Sequence, residues 1–295
     1  MGLLGFSMNE PVGGADRLPR TRKEQFYDIL KMNFWLYLGL GVMVLLCSAP
    51  LYLSTVTESI YTTGIQEDAG LEATEEQMQA VKYAINRFQT RMGLINVGLL
   101  MLFAIPFSGL LRVIRQFAWG ESVSVFGDMK QGIGQNWLQT VLMTAVGGLL
   151  YTMAQTALRS FLSANGEKSY FLLVPMALFV LQILPLVGYM CVSIPIYSNS
   201  FRQNVRLAFR IFSRCPMKSI AMTLFGLLFY LPQHIPNYSC QLWGWIVSAL
   251  LTPVIMLKWT LFAYEQMDAY INPQYAPELI GRGLHPAQEA EKTSL

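Results

Sequence analysis

An ionisable side chain inside hydrocarbon is costly to bury, and where one occurs it is the first candidate for function. Lys258 stands in this position, within a long apolar run and flanked by Met256, Leu257, Trp259 and Thr260. It lies toward the C-terminal end of its run, where a lysine can snorkel to the headgroups. The alternative is an intramembrane charge that couples to an ion or substrate. Glu265 and Asp268 follow one or two turns later and can pair with Lys258 or mark the end of the helix. A second pattern is Arg202, Arg206, Arg210 and Arg214, spaced four apart beside Phe201, Val205, Ala208, Phe209 and Phe212. On a helix this spacing makes a slowly winding ridge next to an apolar face. Such a helix is expected along a membrane surface, apolar side down, with each arginine contributing about 1 kcal/mol near anionic headgroups. The four arginines are therefore the candidate lipid or partner contact, although the same charges also serve to set topology.

Other chemistry lacks its residues. There is no Ser/His/Asp set, paired carboxylates, Gly-rich phosphate loop or metal-ligand spacing. His234 and His285 stand far apart, and Cys47, Cys191, Cys215 and Cys240 form no CxxC. Neither a disulfide framework nor a metal site is read from them. The expectation is a protein that is not an enzyme and uses no cofactor. Asn237-Tyr238-Ser239 matches a glycosylation triplet, a pattern that arises often by chance.

The elements that must carry these residues are membrane helices. Of 295 residues, 53% are hydrophobic and only 13% charged, against about 25% charged in an ordinary soluble domain. The apolar residues are grouped into runs long enough to cross about 30 Å of hydrocarbon. The fold class is all-α: a polytopic membrane bundle with amphipathic surface helices. Six spans are predicted at about 34–53, 93–111, 137–158, 170–197, 219–232 and 242–264, within a membrane domain covering 23–272. The fifth has the shortest apolar core, which Lys218 can lengthen by snorkelling. Pro50, Pro106, Pro175, Pro185, Pro232 and Pro253 fall in or at the ends of spans. They predict kinks, with a broken binding helix as the alternative. Gly147-Gly148, with Thr144 and Ala145, offers a small-residue patch for close helix packing.

Orientation follows from lysine and arginine in the connections. Fifteen fall on the side of both termini, among them Arg17, Arg20, Arg22, Lys23, Arg112, Arg115, Lys130 and the 202–218 group; five fall on the other side, Lys82, Arg87, Arg91, Arg159 and Lys168. This bias places both termini in the cytoplasm of a multi-pass protein in the cell membrane. The first twenty residues lack a continuous apolar core, so the first span is expected to drive insertion. Residues 1–22 are expected to be a disordered cytoplasmic segment and 273–295 a flexible cytoplasmic tail. A net charge of +3 gives no reason to expect nucleic acid as a partner.

The connection 54–92 is the longest and reads as an outer insertion that is acidic at its start. Within it, Met78, Val81, Ala84, Ile85 and Phe88 recur at three and four, and Thr74 is a plausible cap. A helix from Glu75 is expected to run into the second span, forming a solvated lid or one that captures a ligand. Amphipathic surface helices are expected at Lys23–Met32 and Val123–Gln135 as well as before the fifth span, dividing the chain into three units of surface helix plus hairpin.

Several of these features resemble the YesL-like family of bacterial membrane proteins. The opening Met1-Gly2-Leu3-Leu4-Gly5-Phe6 with Asn9 and Pro11 looks like that family's start. Asn33-Phe34-Trp35, followed by Ser48-Ala49-Pro50, is similar to its first helix. Gly120-Glu121, Phe126-Gly127-Asp128, Gly132 and Asn136 resemble its cytoplasmic segment, and Phe201 to Pro216 its second amphipathic helix. The 54–92 insertion and the tail after Asn272 depart from the pattern. The resemblance implies a bacterial source, mostly Gram-positive, and a context near carbohydrate uptake, with no assigned activity or catalytic residues. It points to a non-enzymatic accessory or regulatory component whose partners are the lipid bilayer and another membrane protein such as a sugar-uptake system. The alternative is a transporter or channel for a neutral or apolar solute.

Overall fold

A computed structural model of the chain describes residues 19–69, 74–163, 169–235 and 237–284. Residues 1–18 and 285–295 lie outside these, and with them most of the expected N-terminal segment and the end of the tail. The architecture is all-α and polytopic: among the described residues every regular element is helical. Five helices are long and apolar enough to cross a membrane, or six if the bent pair Phe201–Arg214 with Pro216–Gln233 is counted as one span.

The chain enters through α1 (Arg22–Met32), started by Thr21, whose hydroxyl accepts from the Glu24 amide. Asn33 ends it by donating its Nδ2 to the Ile29 carbonyl at 3.0 Å. At once α2 (Phe34–Ala69) begins and runs through Pro50. Thr74 caps α3 (Glu75–Trp119) through a reciprocal capping box with Gln77, as its position in the sequence predicts. Gly120, in the left-handed region at φ 69°, terminates α3.

With 36 and 45 residues, α2 and α3 are about 54 and 68 Å long, well beyond one bilayer. The expected insertion is thus not a separate lid but the two spans prolonged into an antiparallel stalk. Tyr61 and Phe88 pack against each other within it, ring centroids 3.9 Å apart and planes tilted by 32°.

No surface helix precedes the third span. Val123–Gln135 is absorbed into one unbroken helix, α4 (Val125–Ser163), so the three-unit division does not hold in its middle unit. The reason is packing. A Cβ at Gly132 would lie 2.8 Å from the Arg112 Cβ and 3.0 Å from the Gly109 Cα. The segment's inner side therefore seals against α3 rather than against lipid. This crossing is closer than the one at Gly147-Gly148, where an added Cβ would meet Val97 at 3.2 Å and Val187 at 3.7 Å.

The fourth span, Tyr170–Ser193, changes winding along its length. It passes from a 3₁₀ turn through α5 (Val174–Leu178) and a π turn (Phe179–Ile183) to α6 (Leu184–Ser193). Pro185 has no N–H to return to Leu181, which accounts for the wider winding just before it. Next come α7 (Phe201–Arg214) and α8 (Pro216–Leu227), bent 105° from each other, and then a 3₁₀ stretch, Leu228–His234. The 12 residues of α8 and 7 of the 3₁₀ stretch together reach about 32 Å. That length matches the roughly 30 Å of hydrocarbon that the expected fifth span has to cross. The last span is α9 (Tyr238–Tyr270), capped by Asn237, which accepts from the Cys240 amide. The asparagine of the glycosylation triplet thus serves as a helix cap.

Residues 273–284, expected in a flexible tail, pack on the bundle. They complete α10 (Asn272–Tyr275) and a 3₁₀ turn at Pro277–Leu279. The buried core lies toward the end where α1, α7 and α10 sit: Tyr37, Val113, Ile114, Tyr189, Leu257, Leu261 and Met267 are sealed there. We call this the basic end and the α2–α3 stalk the far end.

Candidate functional site

Two groups of charged residues occupy the basic end. The first is a buried network. Arg22, at the start of α1 and 9% exposed, donates to Asp268 Oδ2 of α9 at 2.8 Å. It also donates to Gln25 at 2.9 Å and to the Arg282 carbonyl at 2.8 Å, and its guanidinium lies over the Tyr264 ring. Asp268 further accepts from Asn272 at 2.7 Å and from the Gly281 amide at 3.3 Å. Asn272 in turn accepts from the Tyr197 hydroxyl at 2.6 Å. Burial pushes the Tyr197 phenol above its ordinary pKa, and the charges of Asp268 and Glu278 push it the same way. Tyr197 therefore stays protonated and donates.

A second branch of the network runs from α3 into α4. Arg112 donates to Gln135 at 2.7 Å and stands 3.9 Å from Asp128. Asp128 also holds the Ser124 amide at 2.8 Å, which starts α4. Arg115 donates to the Pro195 carbonyl at 2.7 Å and to Gln116 at 2.9 Å. Trp119 receives two guanidinium groups, Arg115 at 4.4 Å and Arg282 at 3.9 Å from its ring centroid. Arg282 pairs with Glu121 at 2.6 Å. Gln25 closes the assembly by donating to the carbonyls of Ala118 and Gly283, at 2.7 and 3.0 Å. Gly283 has φ 82° and sits against the Ala118 carbonyl, a place with no room for a Cβ. The enclosed space here is about 10 Å³, bounded by Arg22, Tyr197, Tyr264, Asp268, Asn272 and Arg282 among others. That is room for about one water molecule. The geometry braces helix ends and leaves no volume for a substrate.

The second group is α7, whose residues divide by exposure into three sectors. Asn204, Ala208 and Ile211 are buried against the bundle. Val205 and Phe209 are exposed at 39% and 53%, with Phe201 and Phe212 half-buried beside them. Arg202, Arg206, Arg210 and Arg214 are exposed on the remaining side. Ser200 and Gln203 cap the helix reciprocally, and Asn204 anchors it by donating to Gln139 at 2.8 Å. Among the described residues none of the four arginines makes an ion pair. The sequence puts Ala208 on the membrane-facing side with Phe201, Val205, Phe209 and Phe212; it turns inward instead, buried with Asn204 and Ile211, while Val205 and Phe209 stay exposed.

Lys258 sits at the basic end, with its ammonium 5.1 Å from the Phe26 ring centroid of α1. It lines neither the enclosed space nor the open groove beside α7. Asp268 pairs with Arg22 rather than with Lys258, and Glu265 is exposed.

Reading charges only as topology markers misses the network of Arg22, Arg112, Arg115, Asp128 and Asp268. The available signal was Arg112 and Arg115 standing between Leu111 and Phe117 with no helix-breaking residue before Gly120. Among the described residues no three His, Cys, Asp or Glu side chains gather to hold a metal, and all four cysteines are free. No protein-family model, curated protein or solved structure matches the chain.

Proposed function

We propose that the protein is a non-enzymatic accessory component of the cell membrane. Both termini and the basic end face the cytoplasm, and the chain works through the arginine-bearing surface of α7. The observation that carries this reading is the three-sector division of a helix bent 105° from the span that follows it. If α8 stands near the membrane normal, α7 lies nearly in the membrane plane. Its exposed Val205 and Phe209 then meet acyl chains, and its unpaired guanidinium groups meet headgroups and water. The excess of Lys and Arg at this end supports the cytoplasmic orientation. The resemblance of the order of motifs to that of YesL-like proteins supports a role beside a carbohydrate-uptake system, the partner being another membrane protein.

The test compares thermal unfolding in nanodiscs of phosphatidylcholine with nanodiscs containing phosphatidylglycerol. Anionic lipid is expected to raise the unfolding temperature of the native chain, with most of the rise lost in R202Q/R206Q. An unfolding temperature indifferent to lipid charge would contradict the reading.

A further inference from the structure

The arginine ridge does not face one medium along its whole length. At about 100° per residue, the four arginines lie roughly 65°, 105°, 145° and 185° from the centre of the sector formed by Phe201, Val205, Phe209 and Phe212. Arg202 is thus next to the apolar sector, while Arg214 points directly away from it. On a helix lying apolar side down, the ridge leaves the headgroup layer near its middle and ends facing water.

At the water-facing end is an open groove of about 780 Å³ between α7 and the α9–α10 corner. Arg210, Ser213, Arg214, Tyr270, Gln274 and Tyr275 line it, and no acidic residue does. Arg210 is already held in place: it donates to the Tyr275 hydroxyl at 2.5 Å and lies 5.2 Å from the centroid of that ring. Neither Arg210 nor Arg214 has a carboxylate partner among the described residues. Residues four apart on a helix surface have Cβ atoms about 5–6 Å apart, so the two guanidinium groups can converge on one anion.

We propose that this groove binds a water-soluble phosphate monoester. The inference rests on the placement of α7 at the membrane surface made above. Charge decides the ligand class. Two uncompensated guanidinium groups match a dianion, and arginine forks match phosphate oxygens in geometry. A single carboxylate would leave one guanidinium unmatched, and so would the singly charged phosphodiester of a common lipid headgroup. The groove is also far larger than one phosphate. Its hydroxyl, amide and phenol groups leave space to hold the polar body that carries it.

The experiment is equilibrium dialysis of radiolabelled inorganic phosphate against the full chain in phosphatidylcholine nanodiscs. Saturable binding is expected. R210Q/R214Q should weaken it at least tenfold, R202Q/R206Q should leave it within about twofold, and phosphatidylglycerol should not displace it. Absence of saturable binding, or equal loss in the two double variants, overturns the proposal. Displacement by phosphatidylglycerol also overturns it and assigns the groove to lipid. The two readings fail separately. Lipid-dependent stability tests Arg202 and Arg206, whereas phosphate dialysis tests Arg210 and Arg214, and neither pair enters the buried network.

Discussion

The two ends of the bundle are built by opposite rules. At the basic end, four helices and the 277–284 segment converge on Arg22, Asp268, Arg112 and Asp128. Both carboxylates there pair with an arginine, and large side chains such as Tyr37, Leu257 and Met267 are sealed, at the cost of buried Nε atoms of Arg22 and Arg115 and hydroxyls of Tyr37 and Tyr264 that find no hydrogen bond. At the far end, α2 beyond Leu53 and α3 before Gly93 bury only Ser54 and Met92 among the described residues. Tyr61 packs on Phe88 between the two stalk helices, and Glu58 of α2 pairs with Arg159 of α4 at 3.2 Å. Stability is therefore concentrated where the charges are. An arginine that loses its carboxylate at the basic end is left in a protein interior, whereas at the far end water is close at hand.

The largest expected effect breaks this contrast at its centre. Asp268→Ala leaves the Arg22 guanidinium without its counter-charge, with side-chain exposures of 8% and 18% in the native pair. It should lower stability by about 3–5 kcal/mol, read as chemical denaturation in detergent micelles. Next is Gly132→Ala, which forces a methyl into the α3–α4 crossing and should cost about 1–3 kcal/mol by the same assay. Removing the far-end pair with Glu58→Gln should cost no more than about 1 kcal/mol, because Arg159 is partly exposed and can turn to water. The smallest effect has the opposite sign. At Gly64, inside α2, an added Cβ meets nothing within 4 Å, so Gly64→Ala should stabilise the stalk by about 0.5–1 kcal/mol. If Glu58→Gln proved as damaging as Asp268→Ala, the asymmetry between the ends would be lost.

Local features of this architecture were legible in the sequence, and long-range ones were not. Thr74 reads as a helix start because a cap is recognised from its near neighbours in the chain. The runs around Leu100 and Leu250 read as spans because hydropathy is a property of a window. The arginines of α7 declare themselves through their spacing. Asp268, in contrast, has Lys258 within three turns, and its actual partner is Arg22, 246 residues earlier in the chain. That pairing exists only because α1 docks on the end of α9. Val123–Gln135 misleads for the same reason. Its amphipathic pattern satisfies a membrane surface and the side of α3 equally well, and only the Gly109–Gly132 approach decides between them. The tail past Asn272 has the composition of a loop, yet Gly281 and Gly283, both at positive φ, let it turn tightly into the network.

The most direct test of the account is a spin-label accessibility scan along α7 in reconstituted membranes, one cysteine at a time from 202 to 214. The account predicts three phases within one helical period. Labels at 205 and 209 should be most accessible to oxygen, which concentrates in lipid. Labels at 210 and 214 should be most accessible to a water-soluble nickel chelate, and labels at 204, 208 and 211 should be protected from both. Uniform access to the chelate all round the helix would contradict it, since α7 would then stand in water, with no side resting on lipid or on the bundle.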